Sequence, residues 1–299
     1  MNGVINCLKP PGMTSHDVVD FLRKQLGTKK VGHGGTLDPG AAGVLPIFVG
    51  KATKAVEFFE VSEKEYVAEM TLGVTTDTGD NMGKVLETKD CNTESASIIE
   101  VFNKFVGKIQ QIPPMYSAVR HKGKKLYELA RQGIVVERKP RTVEIYSIEL
   151  IKYEKPRVLF RVSCSRGTYI RTLCEDIGRA LGCGAHLSCL IRTKLGPFKI
   201  SHAITLEDIK ASVSSGKSQE ILMSIDKILS TFMSSVIIQL RNEKSFFKGT
   251  EFPIENISTE PDNENQYAVI YDQKKQFLGV GKIFYRGLNI LVKVQKSFL

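Results

Sequence analysis

The sequence predicts an α+β fold followed by a smaller β-rich module. Three observations carry that prediction. Two β-rich runs, TVEIYSIELIKYE and RVLFRVSCS, are separated by a few residues near Glu154 to Arg157 and fit an antiparallel pair. Segments with helical spacing of apolar residues alternate with strand-like segments through about residue 230. From about residue 236 only short strand-like runs with polar turns remain, the pattern of a small barrel or β-rich module. At 299 residues the chain has room for more than one core.

In order, VINCL (4–8) reads as a short strand closed by KPPG. Thr14 and Asp17 have the spacing of a capping box, which starts a helix running to about Leu26. A glycine-rich loop, GHGGTLDPGAAG (32–43), follows. YVAEMTLG (66–73) alternates as a strand and enters the turn TTDTGDNMG. SASIIEVFNKF (95–105) has an amphipathic helical pattern, and the two prolines of QQIPPMYSAV forbid a helix after it. KKLYELARQG (124–133) predicts a short basic helix stopped by Gly133. After the antiparallel pair, a helix is expected from about Tyr169 to Leu181, ended by GCG. Residues 205–230 are weakly helical with a Ser-rich break, ASVSSGKS, as the candidate linker. SVIIQL, YAVIYD, FLGVGKIF and NILVKV supply the terminal strands, so the chain divides into residues 1–230 and 231–299.

The net charge is +10, which favours a polyanionic partner, nucleic acid before membrane surface. Lys104 to Tyr146 holds ten Lys or Arg against three Glu, most of that excess. No apolar run approaches the roughly 18 residues of a membrane span, and the N-terminal stretch lacks the basic start and apolar core of a secretory signal. Six cysteines without a CxxC pair indicate a reducing, cytoplasmic setting. Cys183, His186 and Cys189 run C-x2-H-x2-C but lack a fourth ligand, so buried thiols beside a histidine are expected there and no metal. The single DTG at Asp77 to Gly79 could make the paired carboxylates of an aspartic protease only in a symmetric dimer of a much smaller chain type, and a lone tripeptide matches by chance. GKAT at 50–53 lacks the spacing of a phosphate loop, and the histidines form no HExxH.

Asp38 is the candidate that survives. Pro39 keeps it out of the helical region, Leu37 can anchor it, and the flanking glycines admit a close backbone. An Asp capping its own turn would read the same way. A reacting carboxylate needs a cationic partner, and Arg171, in the first turn of the helix after SRGTY, is the best available. An arginine at a helix N-terminus gains nothing from the helix dipole, although it could simply reach solvent.

GHGGTLDPGAAGVLPIFVGKATK resembles the signature of tRNA pseudouridine synthases of the TruB family. LKPPGMTSHDVV, EKEYVAEMTLGVTTDTGD, QQIPPMYSAVRHKGKKLYELARQGI and CSRGTYIRTLCEDIGRALGCGAHLSCLIRTKLGPF resemble further segments of that family, in order, over about residues 4–210. Leu8, Gly34 and Ala42 depart from the pattern, which usually has Asp at the first position and hydroxyl residues at the others. The resemblance implies a pseudouridine-synthase fold with a mixed, largely antiparallel sheet flanked by helices, plus a C-terminal PUA-like RNA-binding module. It implies isomerisation of uridine 55 in the tRNA T loop, a reaction that requires no cofactor and no metal, by a cytoplasmic monomer that needs no protein partner. Asp38 would be the essential carboxylate, attacking C1′ or abstracting a sugar proton. Arg171 would be its ion-pair partner, Tyr66 would stack on the extruded uracil, Tyr169 and Leu190 would pack around it, and Asp80 would contact it. His33 would fill the space the base leaves. Lys9, Arg120, Lys122, Lys124, Lys125 and Arg131 would bind phosphates, the last five within a basic insertion at about 114–142.

Overall fold

The computed structural model describes residues 1–59, 63–258 and 266–299. The chain opens with β1 (Gly3–Lys9), α1 (Ser15–Leu26), β2 (Val31–His33) and β3 (Ala42–Val49). A 3₁₀ helix over Gly50–Phe59 precedes β4 (Lys64–Leu72), and β5 (Val74–Thr76) with β6 (Val85–Thr88) forms a small hairpin. Then come α2 (Ser95–Phe105), β7 (Gly107–Gln111), β8 (Arg120–His121), β9 (Lys124–Lys125) and α3 (Leu126–Ala130). The long pair β10 (Arg141–Glu154) and β11 (Arg157–Cys164) leads to α4 (Ile170–Ala180), β12 (Ala185–Leu195) and β13 (Phe198–Lys199). Two short helices, α5 (Leu206–Ser214) and α6 (Ile225–Leu229), precede β14 (Ser234–Ile238), β15 (Glu251–Ile257), β16 (Tyr267–Asp272), β17 (Phe277–Arg286) and β18 (Asn289–Ser297).

The main sheet runs β1-β3-β12-β4-β11-β10-β7, with β2 on β3 and β13 on β12. Among the described residues every pairing in it is antiparallel except β3 with β12, so the sheet is mixed and largely antiparallel as expected. That parallel contact places Gly43 beside Arg192. Gly43 has φ +114, and a Cβ there would collide with the Arg192 backbone, so this close approach requires glycine. Gly34 has a similar reason: a Cβ on it would lie 2.9 Å from the buried ring of Phe48, which leaves no room for the hydroxyl residue usual in the family.

The capping box is present: Thr14 N–H donates to Asp17 Oδ2 at 2.7 Å and Asp17 N–H to Thr14 Oγ1 at 3.0 Å. Apolar faces of β4, β11, β12, α2 and α4 meet in one core that includes Met70, Phe102, Phe160 and Leu173. One expected helix is corrected. KKLYELARQG does not begin as helix: Lys124 and Lys125 form β9, paired with Arg120 and His121. Lys122 (φ 46) and Gly123 (φ 89) both adopt positive φ, the two-residue turn that closes a tight hairpin, and helix starts only at Leu126.

The five terminal strands close a barrel, β14-β15-β18-β17-β16. One of them, β15, comes from a segment not anticipated as strand. Barrel residues Val269, Val280 and Phe298 share a core with Phe48, Phe58, Phe59 and Phe198. Among the described residues no helix is long and apolar enough to cross a membrane.

Candidate active site

The glycine-rich segment between β2 and β3 looks pliable by composition, but buried polar side chains hold it along its length. Ser15, at the start of α1, accepts from Leu37 N–H (2.9 Å) and donates to the Leu37 carbonyl (3.2 Å). Gly12 N–H donates to the Pro39 carbonyl at 2.8 Å. The Lys9 ammonium donates to the carbonyls of Ala41 (2.6 Å), Pro10 (2.9 Å) and Pro39 (3.2 Å). Arg192, fully buried, donates to the carbonyls of Val44 (2.8 Å), Gly35 (2.9 Å) and Thr36 (3.4 Å). These bonds fix the backbone on both sides of Asp38, whose carboxylate stays partly exposed.

Lys9 therefore does not do what the sequence suggested. It is 0% exposed, so it cannot reach a phosphate; its donors are taken by the loop carbonyls. Burial brings its ammonium down to about 8, while nearby Asp38 pulls the other way.

Arg171 reaches Asp38 from α4, with Nε 3.0 Å from Asp38 Oδ2. Its Nη1 lies 3.8 Å from Asp80 Oδ2 and donates to the Thr78 carbonyl at 3.3 Å, and its Nη2 donates to the Tyr116 carbonyl at 2.8 Å. One guanidinium thus joins the glycine-rich loop, the turn after β5 and the basic insertion. Asp80 is oriented by Thr78 Oγ1 (2.6 Å) and Met82 N–H (3.1 Å), both donating to its Oδ1. Partial burial pushes the Asp38 carboxyl above its ordinary value, Arg171 opposes this, and Asp80 reinforces it. The Asp38 side chain keeps 43% of its exposure against 5% for Arg171, so the pair is a buried cation presenting a half-open anion.

Tyr66 (β4) and Leu190 (β12) are buried in the same cluster as Leu37 and Ala41, under the loop. Burial, partly opposed by the nearby Arg192 guanidinium, drives the Tyr66 phenol up to about 12. Tyr66 is thus a neutral phenol at physiological pH. Tyr169 caps α4, and its backbone is gripped twice by Gln111: Tyr169 N–H donates to Oε1 (3.0 Å) and Nε2 donates to the Tyr169 carbonyl (3.3 Å). His33 ends β2, half-buried; burial and the nearby Arg192 lower its pKa, and Nδ1 is buried without a partner among the described residues.

Sequence reasoning missed Arg192, Gln111 and Ser15. A signal existed for Arg192, which stands two residues after Leu190, in phase with the buried face of β12. Cys183 packs against the Cys91 thiol and His186 Nδ1 lies 3.0 Å from the Val74 carbonyl, whereas Cys189 is exposed and not the buried thiol expected. Among the described residues no group of three or more ligand-type side chains is placed to hold an ion.

In the insertion, Arg120, Lys122, Lys124 and Arg131 are exposed, and none makes a salt bridge among the described residues. Lys125 is half-buried, its ammonium 3.4 Å from the Tyr127 hydroxyl. Tyr127 lies beneath both Lys125 (5.3 Å) and Arg131 (5.6 Å) and gathers their charge onto one face.

Comparison with known proteins shows the family. Residues 23–170 match the TruB family pseudouridylate synthase (N terminal domain), and residues 171–231 match the tRNA pseudouridylate synthase B C-terminal domain. The chain is 48% identical over 282 residues to the tRNA pseudouridine synthase B of Alkaliphilus oremlandii, covering 94% of this chain and 93% of that protein. It is 44% identical over 295 residues to the tRNA pseudouridine synthase B of Clostridium acetobutylicum, covering 97% and 99%. Among solved structures, a chain of a Cbf5-Nop10-Gar1 complex aligns with TM-score 0.77 and 33% identity, over 99% of this chain and 85% of that one. The chain belongs to the TruB family of pseudouridylate synthases.

Proposed function

We propose that the protein isomerises uridine to pseudouridine in the T loop of tRNA, at position 55, and that Asp38 is the reacting carboxylate. The observation that carries this reading is the Asp38–Arg171 pair at 3.0 Å, set against Tyr66 and Leu190 at the mouth of a core. The N1–C1′ bond breaks, the uracil turns, C5 bonds to C1′, the C5 proton is lost to solvent, and N1 gains one. A stacked uridine must first leave its loop, at a cost of about a few kcal/mol. The aromatic face of Tyr66 offers the extruded base a platform, with its hydroxyl protonated. Asp80 stands on the far side of Arg171, where it can accept from the base edge. His33 occupies the space vacated in the RNA loop. The exposed cations of the insertion grip the phosphates. Residues 1–230 serve as the catalytic unit and 231–299 as the RNA-binding module.

The test uses purified protein, a T-stem-loop RNA and no accessory protein, with chemical mapping of pseudouridine. Wild type gives product at the target uridine and Asp38→Asn gives none. Absence of product with wild type, or undiminished product with Asp38→Asn, overturns the reading. A second reading, a subunit of an RNA-guided particle, draws on the likeness to the Cbf5-Nop10-Gar1 complex, and turnover of the bare stem-loop tells against it.

A further inference from the structure

On one flank of the catalytic loop lies a cavity of about 620 Å³, well inside the range of ligand sites. Its polar wall includes His33 to Thr36 of the loop, Lys64 at the start of β4, Arg141 at the start of β10, and Arg166 in the turn between β11 and α4, and the 3₁₀ helix and Leu195 of β12 add apolar surface. Among the described residues that line it, the charged ones are all cationic. Neither Arg141 nor Arg166 makes a salt bridge among the described residues. The wall is held in shape, because Glu144 N–H donates to Ser165 Oγ (2.9 Å) and Ser165 N–H to the Glu144 carbonyl (2.8 Å). These bonds tie the turn that carries Arg166 to the strand that carries Arg141. Two described carboxylates near this wall are engaged elsewhere: Glu63 with Ser163 and with Lys194, and Glu65 with Thr193.

Thr36, on the cavity wall, is two residues from Asp38, and two residues span at most about 7 Å. The cavity thus opens close to Asp38 along the chain, although Asp38 itself does not line it. We propose that this cavity is a second anion site, separate from the basic insertion, which grips one backbone phosphate of the RNA strand flanking the target uridine. Arginine pairs with phosphate through two parallel N–H donors and stays charged throughout the physiological range. His33 lines the cavity without adding charge, because burial lowers its pKa. The insertion and this cavity then hold the RNA at two places, so the strand is fixed across the point where the uridine is extruded.

The inference rests on the proposed action on RNA. Its test compares the full-length chain with Arg141→Gln/Arg166→Gln, both exposed positions where substitution leaves the core intact. T-stem-loop binding is measured across a salt series, with methylphosphonates placed singly along the flanking strand and with inorganic phosphate as competitor. The double variant is expected to raise KM about tenfold and to flatten the salt slope by about one. One methylphosphonate should weaken binding to wild type and leave the double variant unaffected. Unchanged KM and slope, or equal methylphosphonate effects in both proteins, overturn the proposal. So does a cavity that takes inorganic phosphate while no methylphosphonate matters, since that marks a free-anion site. If wild type forms no pseudouridine, the functional reading fails; if wild type is active and the variant behaves identically, the anion site alone fails.

Discussion

Asp38 has two charged neighbours of opposite sign, and together with its burial they set the pH at which it can react. On the proposed function it must be ionised to attack C1′ or take a proton, so activity is expected to be lost as pH falls through its pKa in the folded protein. That pKa lies above the ordinary 3.8 because partial burial outweighs Arg171. Removing Arg171 removes the influence that lowers it and leaves Asp80, which raises it. Arg171→Gln is therefore expected to move the acid limb of kcat/KM to higher pH and to reduce the plateau by about 100-fold or more, the scale of losing an oriented charge in a reacting site. Arg171→Lys, which keeps the charge but not the fork, should restore the limb more than the plateau. A pH–rate profile of the three proteins checks this, and an unmoved limb in Arg171→Gln would remove Arg171 from the control of Asp38. Asp38 and Arg171 were legible in the sequence because each sits in a distinctive local setting, LDPG and the first turn after RGTY. Lys9 was singled out for a different role, and Arg192 was missed although it stands in phase with Leu190. Their roles depend on β1 pairing with β3 and on β12 lying parallel to β3, which bury both cations under a loop far away in sequence.

The hairpin of β8 and β9 is where the molecule's charge excess becomes a surface. Its turn puts Lys122 and Lys124 at an exposed tip, whereas Lys125 leans back toward Tyr127. Substituting the two exposed lysines is thus the cleaner probe. Lys122→Gln/Lys124→Gln should lower the magnitude of the log–log salt slope for RNA binding by about 0.7 to 0.9 for each phosphate that is no longer neutralised. The acid limb set by Asp38 should stay in place. Filter binding or fluorescence titration from low to moderate salt measures the slope, and an unchanged slope would leave the hairpin without an electrostatic role. Elements with local punctuation were readable in advance. α1 has its capping box, and β10 and β11 have alternation around a tight turn. β12 was not, although it lies in the middle of the sheet. AHLSCLIRTKL mixes buried and open positions through two register shifts against β4, so no clean period of two survives in the sequence.

Across the whole molecule, the terminal barrel is fastened to the main sheet. Phe298 sits at that junction, 7% exposed, with its ring 5.0 Å from Phe277 and the Lys54 ammonium 5.9 Å above it. Lys54 also donates to the Ser297 carbonyl at 2.7 Å, Lys296 pairs with Glu57 at 2.6 Å, and the rings of Phe58 and Tyr267 meet edge-on at 5.2 Å. The surface ion pair adds little, because exposed pairs are screened. The shared aromatic core stabilises the junction far more, since it removes whole rings from water. Phe298→Ala removes a buried ring from the junction between the two units and should destabilise the protein by about 3–5 kcal/mol. Because that core takes residues from both units, the loss should lower a single cooperative transition in calorimetry. A scan with two transitions, in which Phe298→Ala shifts only the smaller, would show that the barrel folds and melts by itself. In that case the aromatic junction would be a docking surface, and the RNA would meet two independently mobile bodies instead of one continuous face.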